Sequence, residues 1–432
     1  IIYTIFLRER SGLARILDFY GKFLFHNNYL SLFMSSTFHQ VITDVDQNLW
    51  IDSLELNEQN LSTNSSSNWE IKKSTLQGGL QQGIDLIEVN NGNFSFAVVP
   101  TRGMGIWRGS YSGKTLGWDS PVKDLVHPAF IELNDRGGLG WLKGFNEWIV
   151  RCGLSSNGAP GNDVIVDNNG NKAEVFLPLH GKIANIPARF VQVQVEVGTP
   201  TTLRIRGIVE ETMLFGPALR LTTEISTELG SNKLTIVDEV TNLNTTPEEI
   251  EMLYHCNYGP PFLEEGSQLV APVKLAAPRD QRAREDLTTL SEFRGPTNGY
   301  VEQVYFYELL GDSSGESKVM LRNQAGDLGT SMSFSLEQMP CFSLWKNTAS
   351  LKNGYVTGLE PGSNFPNPKR FERENGRVVL LEPLTSRKFE LSLEVHVGSE
   401  AVSEVEKEIN QLQGSTSPEI FEFAPKNLSA AS

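Results

Sequence analysis

From about residue 70 the chain runs in short segments of alternating apolar and polar residues, separated by Gly, Asn, Pro and Asp. Among them are "FSFAVVP", "RFVQVQVEVG", "TLRIRGIVEET", "LRLTTEIST", "KLTIVDEVTN", "EQVYFYELLG" and "KFELSLEVHVG". Successive side chains of a strand point to opposite faces, so a period of two predicts strands with one buried face. Many such strands between turn signals predict an all-β sandwich or barrel. The "LGSNK" segment between Glu228 and Leu234 supplies Gly and Asn where a hairpin turn uses positive φ. Helical spacing is scarce. Residues 138–149 are one candidate, and "SEAVSEVEKEINQLQ" is the other, with Val402, Val405, Ile409 and Leu412 at helical intervals and a loose tail expected after it. No internal repeat is visible.

One run ends on chemistry. In "EIEMLYHCN" the residues Ile250, Met252, Tyr254 and Cys256 form an apolar face, while Glu249, Glu251, Leu253, His255 and Asn257 form the other. The chain then turns at Gly259-Pro260-Pro261. A strand tolerates an imidazole beside an amide where that face looks into a wet cavity, and equally where it simply meets solvent. The run alone leaves both readings open.

The 432 residues exceed the usual ~100–200 of one domain, yet large all-β folds run longer as single units. Residues 1–33 start without Met, carry several arginines and lead to Met34, which reads as a natural start. They are expected to be an upstream extension, with a poorly formed targeting peptide as the alternative. Residues 34–69 are then an N-terminal segment closing in the polar loop "EQNLSTNSSSN", residues 70–398 the sandwich domain, and residues 399–432 a C-terminal helix and tail. The net charge of −15 argues against nucleic acid or an anionic membrane surface as partner. No run of about 18 apolar residues predicts a membrane span. Three cysteines outside any CxxC pair suggest neither a disulfide framework nor a zinc knuckle, and fit a reducing cytoplasm.

Among six histidines, His180 closes the apolar run "VFLPL" just before Gly181, at a strand-to-loop corner where a side chain can face a cleft or serve only as a structural hydrogen-bonding group. His396 and His127 read as structural and loop residues. Glu360 ends the strand "YVTGLE" and is followed by Pro-Gly and an Asn/Phe/Pro-rich loop, a natural place for a general base. Glu382 stands in the same Leu-Glu-Pro context but leads into an ordinary turn. Arg102 in "PTRGMGI" and Lys346 after Trp345 are candidates for holding a ligand's hydroxyls or an anion, and Trp345 for stacking on a ligand ring, with the alternative that Arg102 pairs with an acidic neighbour and Trp345 is core. Asn146 in "GFNEW" and Arg151 in "WIVRCGL" are further cleft candidates.

The segments "VVPTRGMGIW", "GFNEWIVRCGL", "LPLHGKI", "VTNLNTTPEEIEMLYHCNYG", "FSLWKN" and "VTGLEPGSNFPN", in this order over residues 76–398, resemble the galactose mutarotase-like, or aldose 1-epimerase, superfamily, in particular a bacterial branch of unknown function. The resemblance implies a large twisted β-sandwich with a sugar cleft on one sheet. It further implies Glu360 as base, His255 as general acid and His180 as a second histidine that holds the sugar, with Asn257 beside the acid. The family's Asn-His-Ser-Tyr around the acid is replaced by "LYHCNYG", and the sugar-binding aspartate is matched only by Asp280 in "APRDQRA".

A cyclic aldose is a hemiacetal, and exchanging its anomers requires a base at the C1 hydroxyl and an acid at the ring oxygen. A carboxylate and an imidazole on opposite sides of a bound small-molecule sugar supply both, with no metal and no cofactor. Two other readings compete: a non-catalytic carbohydrate-binding protein on the same fold, and a metal-dependent isomerase using His180, His255, His396 and Glu360, which lacks a close ligand pair. The identity of the sugar, its anomer and phosphorylation state, and the oligomeric state stay open at this level.

Overall fold

The computed structural model describes residues 36–61 and 68–431; the expected extension 1–33 lies outside them. The described strands form a ten-stranded sheet and a fourteen-stranded sheet, with a separate hairpin at Gly161–Val166 and Lys172–Leu177. The two large sheets bury one continuous apolar core between them, to which both contribute the inward half of each alternating run: Val191, Val193, Val195, Leu221, Ile225 and Ile236 from the smaller sheet, and Ile106, Ile149, Met252, Tyr254, Cys256 and Leu359 from the larger. This is the β-sandwich that the alternation predicts. The turn after Glu228 carries its positive φ at Gly230 (75°).

Segments flanking the expected domain are woven into it. Ser36–Asp44 pairs antiparallel with Phe190–Val197, and Leu54–Asn57 pairs with Glu70–Thr75. The expected helix forms at Ser399–Gln413 and buries Val402, Val405 and Ile409 against Met320. The tail, expected to be loose, is tied down: Glu419–Ile420 pairs with the Val273–Pro278 strand, and Asn367 donates from Nδ2 to the carbonyl of buried Leu428.

The helix expected over 138–149 is replaced by a single turn at Asp135–Gly138, a 3-10 turn at Gly140–Gly144 and then a strand, Ile149–Leu154. Arg136, Gly137 and Gly138 adopt positive φ, which ends any regular helix. At Gly140 a side chain has no room, because the Glu132 carbonyl oxygen lies 1.7 Å from where a Cβ would sit.

One polar cluster crosses the dry core. Arg151, on Ile149–Leu154 of the larger sheet, donates from Nη2 to Asp238 Oδ1 at 3.0 Å and to Thr223 Oγ1 at 2.8 Å, both on the smaller sheet, and from Nη1 to the Met104 carbonyl at 2.8 Å. Its Nε donates to Asp238 Oδ2, which also accepts from Tyr254 Oη at 2.7 Å. Arg151 therefore faces the intersheet core rather than a ligand cleft, which corrects its placement among the cleft candidates. Both charges are fully desolvated, so removing one strands the other. Asp238→Ala is expected to lower unfolding free energy by about 3–5 kcal/mol in denaturant titration, whereas the same substitution at exposed Glu239 shifts the midpoint little.

Candidate active site

Alternation places His255 and Asn257 on the face of Glu248–Tyr258 opposite the core residues Tyr254 and Cys256. The neighbouring strand Val356–Gly362 presents Gly358 and Glu360 on that outer face, and Cys341–Asn347 beyond it presents Ser343, directly across from Glu360, and Trp345, across from Gly358. The outcome is a contact: His255 Nε2 lies 3.1 Å from Glu360 Oε1, and both side chains are about 95% buried. Gly358 makes the contact possible, since a Cβ there would sit 2.6 Å from Glu360 Oε1 and 2.9 Å from His255 Cε1.

Aromatic side chains wall the pair. Phe145 and Trp345 approach the His255 ring at centroid distances of 5.1 and 5.4 Å, and His180 approaches it edge-on at 5.4 Å while packing on Trp141 at 4.6 Å. His180 adopts a left-handed backbone (φ 58°), and its Nδ1 donates to the Asn157 carbonyl at 2.9 Å, which leaves Nε2 as an acceptor. The Asn157 N–H in turn donates to Glu251 Oε2 at 2.9 Å, and Asn364 Nδ2 donates to Glu251 Oε1 at 3.0 Å. Glu251, on the same strand face as His255 and itself pushed up to about 8 by burial, thus holds the loop that aims His180.

Burial sets the protonation states. It pushes the Glu360 carboxyl up to about 8, with the nearby Glu302 charge adding to the shift. It holds His255 well below its ordinary value, helped by the adjacent His180 and opposed by a side-chain contact from Asn257. His180 is held down at about 4 by burial. Near neutral pH the pair shares one proton, resting on Glu360 and directed at His255 Nε2, because burial disfavours both charged forms. Ser343 Oγ, His255 Nδ1 and Trp141 Nε1 are buried without a hydrogen-bond partner among the described residues.

Of the sequence candidates, Glu360, His255, His180 and Trp345 converge, and Asn257 lies beside them, donating from Nδ2 to the Glu147 carbonyl at 3.0 Å. Five do not join them. Arg151 is in the core, as described above. Arg102 is buried with its N–H groups directed at the Glu147 carboxylate, the carbonyls of Val126 and Gly144 and the Asn185 side chain, so none is free for a sugar. Lys346 points to the opposite side of its strand from Trp345, where Nζ donates to the carbonyls of Thr289, Leu290 and Glu292. Asn146 spends its Nδ2 on the Val122 and Asp124 carbonyls. Asp280 caps a short helix by accepting from the Ala283 N–H at 2.9 Å and pairs with Arg279, which also pairs with Glu302. Glu302 accepts from Trp345 Nε1 at 2.7 Å.

Trp141, Phe145, Glu302, Ser343, Gly358 and the Glu251–Asn157 support were not singled out by sequence. The period of two carried a signal for Ser343 and Gly358, which alternate with Trp345 and Glu360. His396 bonds Ser331 Oγ at 2.8 Å and His127 caps a 3-10 turn, as structural residues do. Glu382 is exposed. Among the described residues, no three His, Cys, Asp or Glu side chains converge as a metal-ligand set.

Solved structures with this architecture define its class. A candidate aldose 1-epimerase from Klebsiella pneumoniae superposes with a TM-score of 0.84 at 34% identity, covering 90% of this chain and 99% of that one. A galactose mutarotase-like protein from Clostridium acetobutylicum superposes with a TM-score of 0.51 at 15% identity, over 76% and 98% of the two chains, and shares the fold alone. The fold is therefore the galactose mutarotase-like β-sandwich. Residues 81–395 match the family described as a domain of unknown function, DUF4432, and the chain belongs to that family. No curated protein matches it.

The raised Glu360 pKa has a stability signature. The folded state holds this proton more tightly than the unfolded chain, so the carboxyl's contribution is most favourable below pH 4.5 and is lost as pH rises to about 8. Glu360→Gln removes that loss. The variant is expected to match the wild type in unfolding free energy near pH 4 and to exceed it by about 2–5 kcal/mol above pH 8, as read from denaturant titrations at each pH.

Proposed function

We propose that the chain is a carbohydrate isomerase of the aldose 1-epimerase type, with Glu360 and His255 as its acid–base pair. The observation that carries this reading is the buried 3.1 Å contact between Glu360 and His255 within an aromatic wall. The K. pneumoniae protein, at 34% identity over most of both chains, supports it.

Sequence reasoning expected the two groups on opposite sides of a sugar; here they touch. Direct contact suits the reaction, because the two oxygens that exchange protons in a hemiacetal are both bonded to C1. Glu360 as carboxylate takes the C1 hydroxyl proton while imidazolium His255 gives its proton to the ring oxygen; the C1–ring oxygen bond breaks and C1 becomes a carbonyl. Rotation about C1–C2 and reclosure with the roles exchanged yield the other anomer. The carboxylate–imidazolium form needed at the start has the same proton count as the resting neutral pair, with the proton moved across the contact. General acid–base catalysis of this kind contributes on the order of 10²–10⁴-fold. His180 Nε2, fixed as an acceptor, receives a sugar hydroxyl, and Trp345 offers its half-buried ring to the apolar face of the sugar.

Anomer exchange followed by NMR over neutral aldoses, deoxy-sugars, uronic acids and sugar phosphates tests the reading; no acceleration for any of them would sink it. For an active sugar, Glu360→Gln and His255→Asn are expected to lower kcat by 10²-fold or more at similar KM, a loss confined to the transition state. His180→Asn is expected to raise KM as well. Equal, small losses in all three would mean that these side chains are structural. Wild-type activity is expected to fall above about pH 8, where the pair loses its shared proton.

A second prediction concerns Gly358. Gly358→Ala pushes Glu360 and His255 apart and is expected to cost at least tenfold in kcat, measured on protein whose far-UV circular dichroism matches that of the wild type.

A further inference from the structure

A cavity of about 460 Å³ lies on the same outer face of the larger sheet as Glu360 and His255, one side chain away from them. Trp118 lines it, and Phe145 separates Trp118 from the pair, with ring centroids 5.1 Å from Trp118 and 5.1 Å from His255. Trp107 and Tyr355 supply further aromatic wall; Tyr355 is fixed by donating from Oη to the Arg294 carbonyl at 2.6 Å. The floor is held by Asn146, whose Nδ2 ties down the loop carrying Val122 and Asp124, and by Ser120 Oγ, which donates to the Phe145 carbonyl at 2.8 Å. The loop that shapes the cavity is thereby bonded to the residue that walls the catalytic pair.

One donor group on the cavity wall is spare. Arg108 lies over the Trp107 ring at 4.0 Å, and among the described residues its guanidinium makes no hydrogen bond or ion pair. The stacked ring holds a planar fork of N–H donors at the cavity wall, and such a fork bonds two oxygens at once. Aromatic faces for the apolar side of a pyranose, with an oriented donor fork for adjacent hydroxyls, are what a carbohydrate ring requires. Arg102 and Lys346, the cations that sequence reasoning assigned to ligand, are both consumed internally, and Lys123 on the cavity wall pairs with Asp119, so among the described residues Arg108 is the lining cation without an acidic partner.

We propose that this cavity is a distal subsite holding the second ring of a reducing disaccharide, whose reducing end lies at Glu360 and His255. The assignment of the reducing end rests on the aldose 1-epimerase reading above; the cavity's affinity for a sugar ring does not. The substrate class is thereby a reducing disaccharide rather than a free monosaccharide, with its two rings on either side of Phe145.

Calorimetric titration of the full chain with cellobiose, maltose, lactose, glucose and galactose tests the subsite, with anomer exchange measured in parallel. At least one disaccharide is expected to bind tenfold or more tightly than the monosaccharide at its reducing end. Arg108→Ala and Thr115→Trp, both at exposed positions lining the cavity, are expected to erase that advantage and leave monosaccharide affinity unchanged. Disaccharides that bind no better than monosaccharides, or an advantage that survives both variants, would overturn the subsite, as would an absence of binding by every sugar. Tight disaccharide binding abolished by these variants, with no anomer exchange, would support the subsite and overturn the catalytic reading alone.

Discussion

The pairing of Arg151 with Asp238 across the dry space between the sheets is the constraint on which the site's geometry depends. Burying two charges is unfavourable unless each is met from several directions, and here the guanidinium also reaches Thr223 and the Met104 carbonyl while the carboxylate also accepts from Tyr254. Displacing one sheet against the other would disrupt the close-packed apolar core and would in addition leave these buried groups unpaired. The clasp thereby fixes two adjacent strands of the larger sheet in register. Tyr254 on its inner side and His255 on its outer side are consecutive residues, so the polar contact in the core determines where the imidazole stands.

On the outer face the same physics is used for the opposite purpose. Glu360 and His255 are buried with each other as their close polar contact, and desolvation moves the carboxyl up and the imidazole down until one proton is shared. Glu251, four residues before His255, is desolvated as well, but it accepts from Asn157 and Asn364 and serves to hold His180. Two glutamates on neighbouring strands thus differ in role through their partners. One is saturated by donors, and the other is left facing an imidazole and the unpartnered Ser343 hydroxyl.

How far sequence reached follows from what a period of two encodes. It gave the sandwich, the inner face Met252–Tyr254–Cys256 and the outward direction of His255, because alternation fixes relative facing along a strand. It does not say which face is the site, so the pattern alone leaves Arg151 a cleft candidate although it shares a face with Ile149 and points inward. Trp345 and Lys346 are consecutive on a strand, and only one of them can face the site; strict use of the alternation excludes the lysine once the tryptophan is placed. Trp141 and Phe145 were out of reach for another reason. They sit on irregular backbone whose course is set by positive φ at Arg136, Gly137 and Gly138 and by the tight approach at Gly140, and no periodicity describes it. The misread helix over 138–149 and the overlooked aromatic wall are one failure.

The distribution of strands along the chain also bears on the order of events at the ribosome. The ten-stranded sheet takes one strand from residues 36–44 and another from residues 386–397, and the larger sheet receives a strand from residues 419–420. The loop after Glu360 is bonded through Asn367 to Leu428, almost the last residue described. Residues 386–394 pair with 233–241 and residues 419–420 with 275–276, and pairings so distant in sequence form slowly and only after both partners have emerged. The nascent chain therefore carries exposed, half-paired sheet until residues 386–420 have emerged, the condition in which unpaired strand edges aggregate. The inner faces that bury the Arg151–Asp238 clasp include the strand at residues 386–397, and the loop after Glu360 is held from Leu428, so one late stretch of the chain closes both the core and the site.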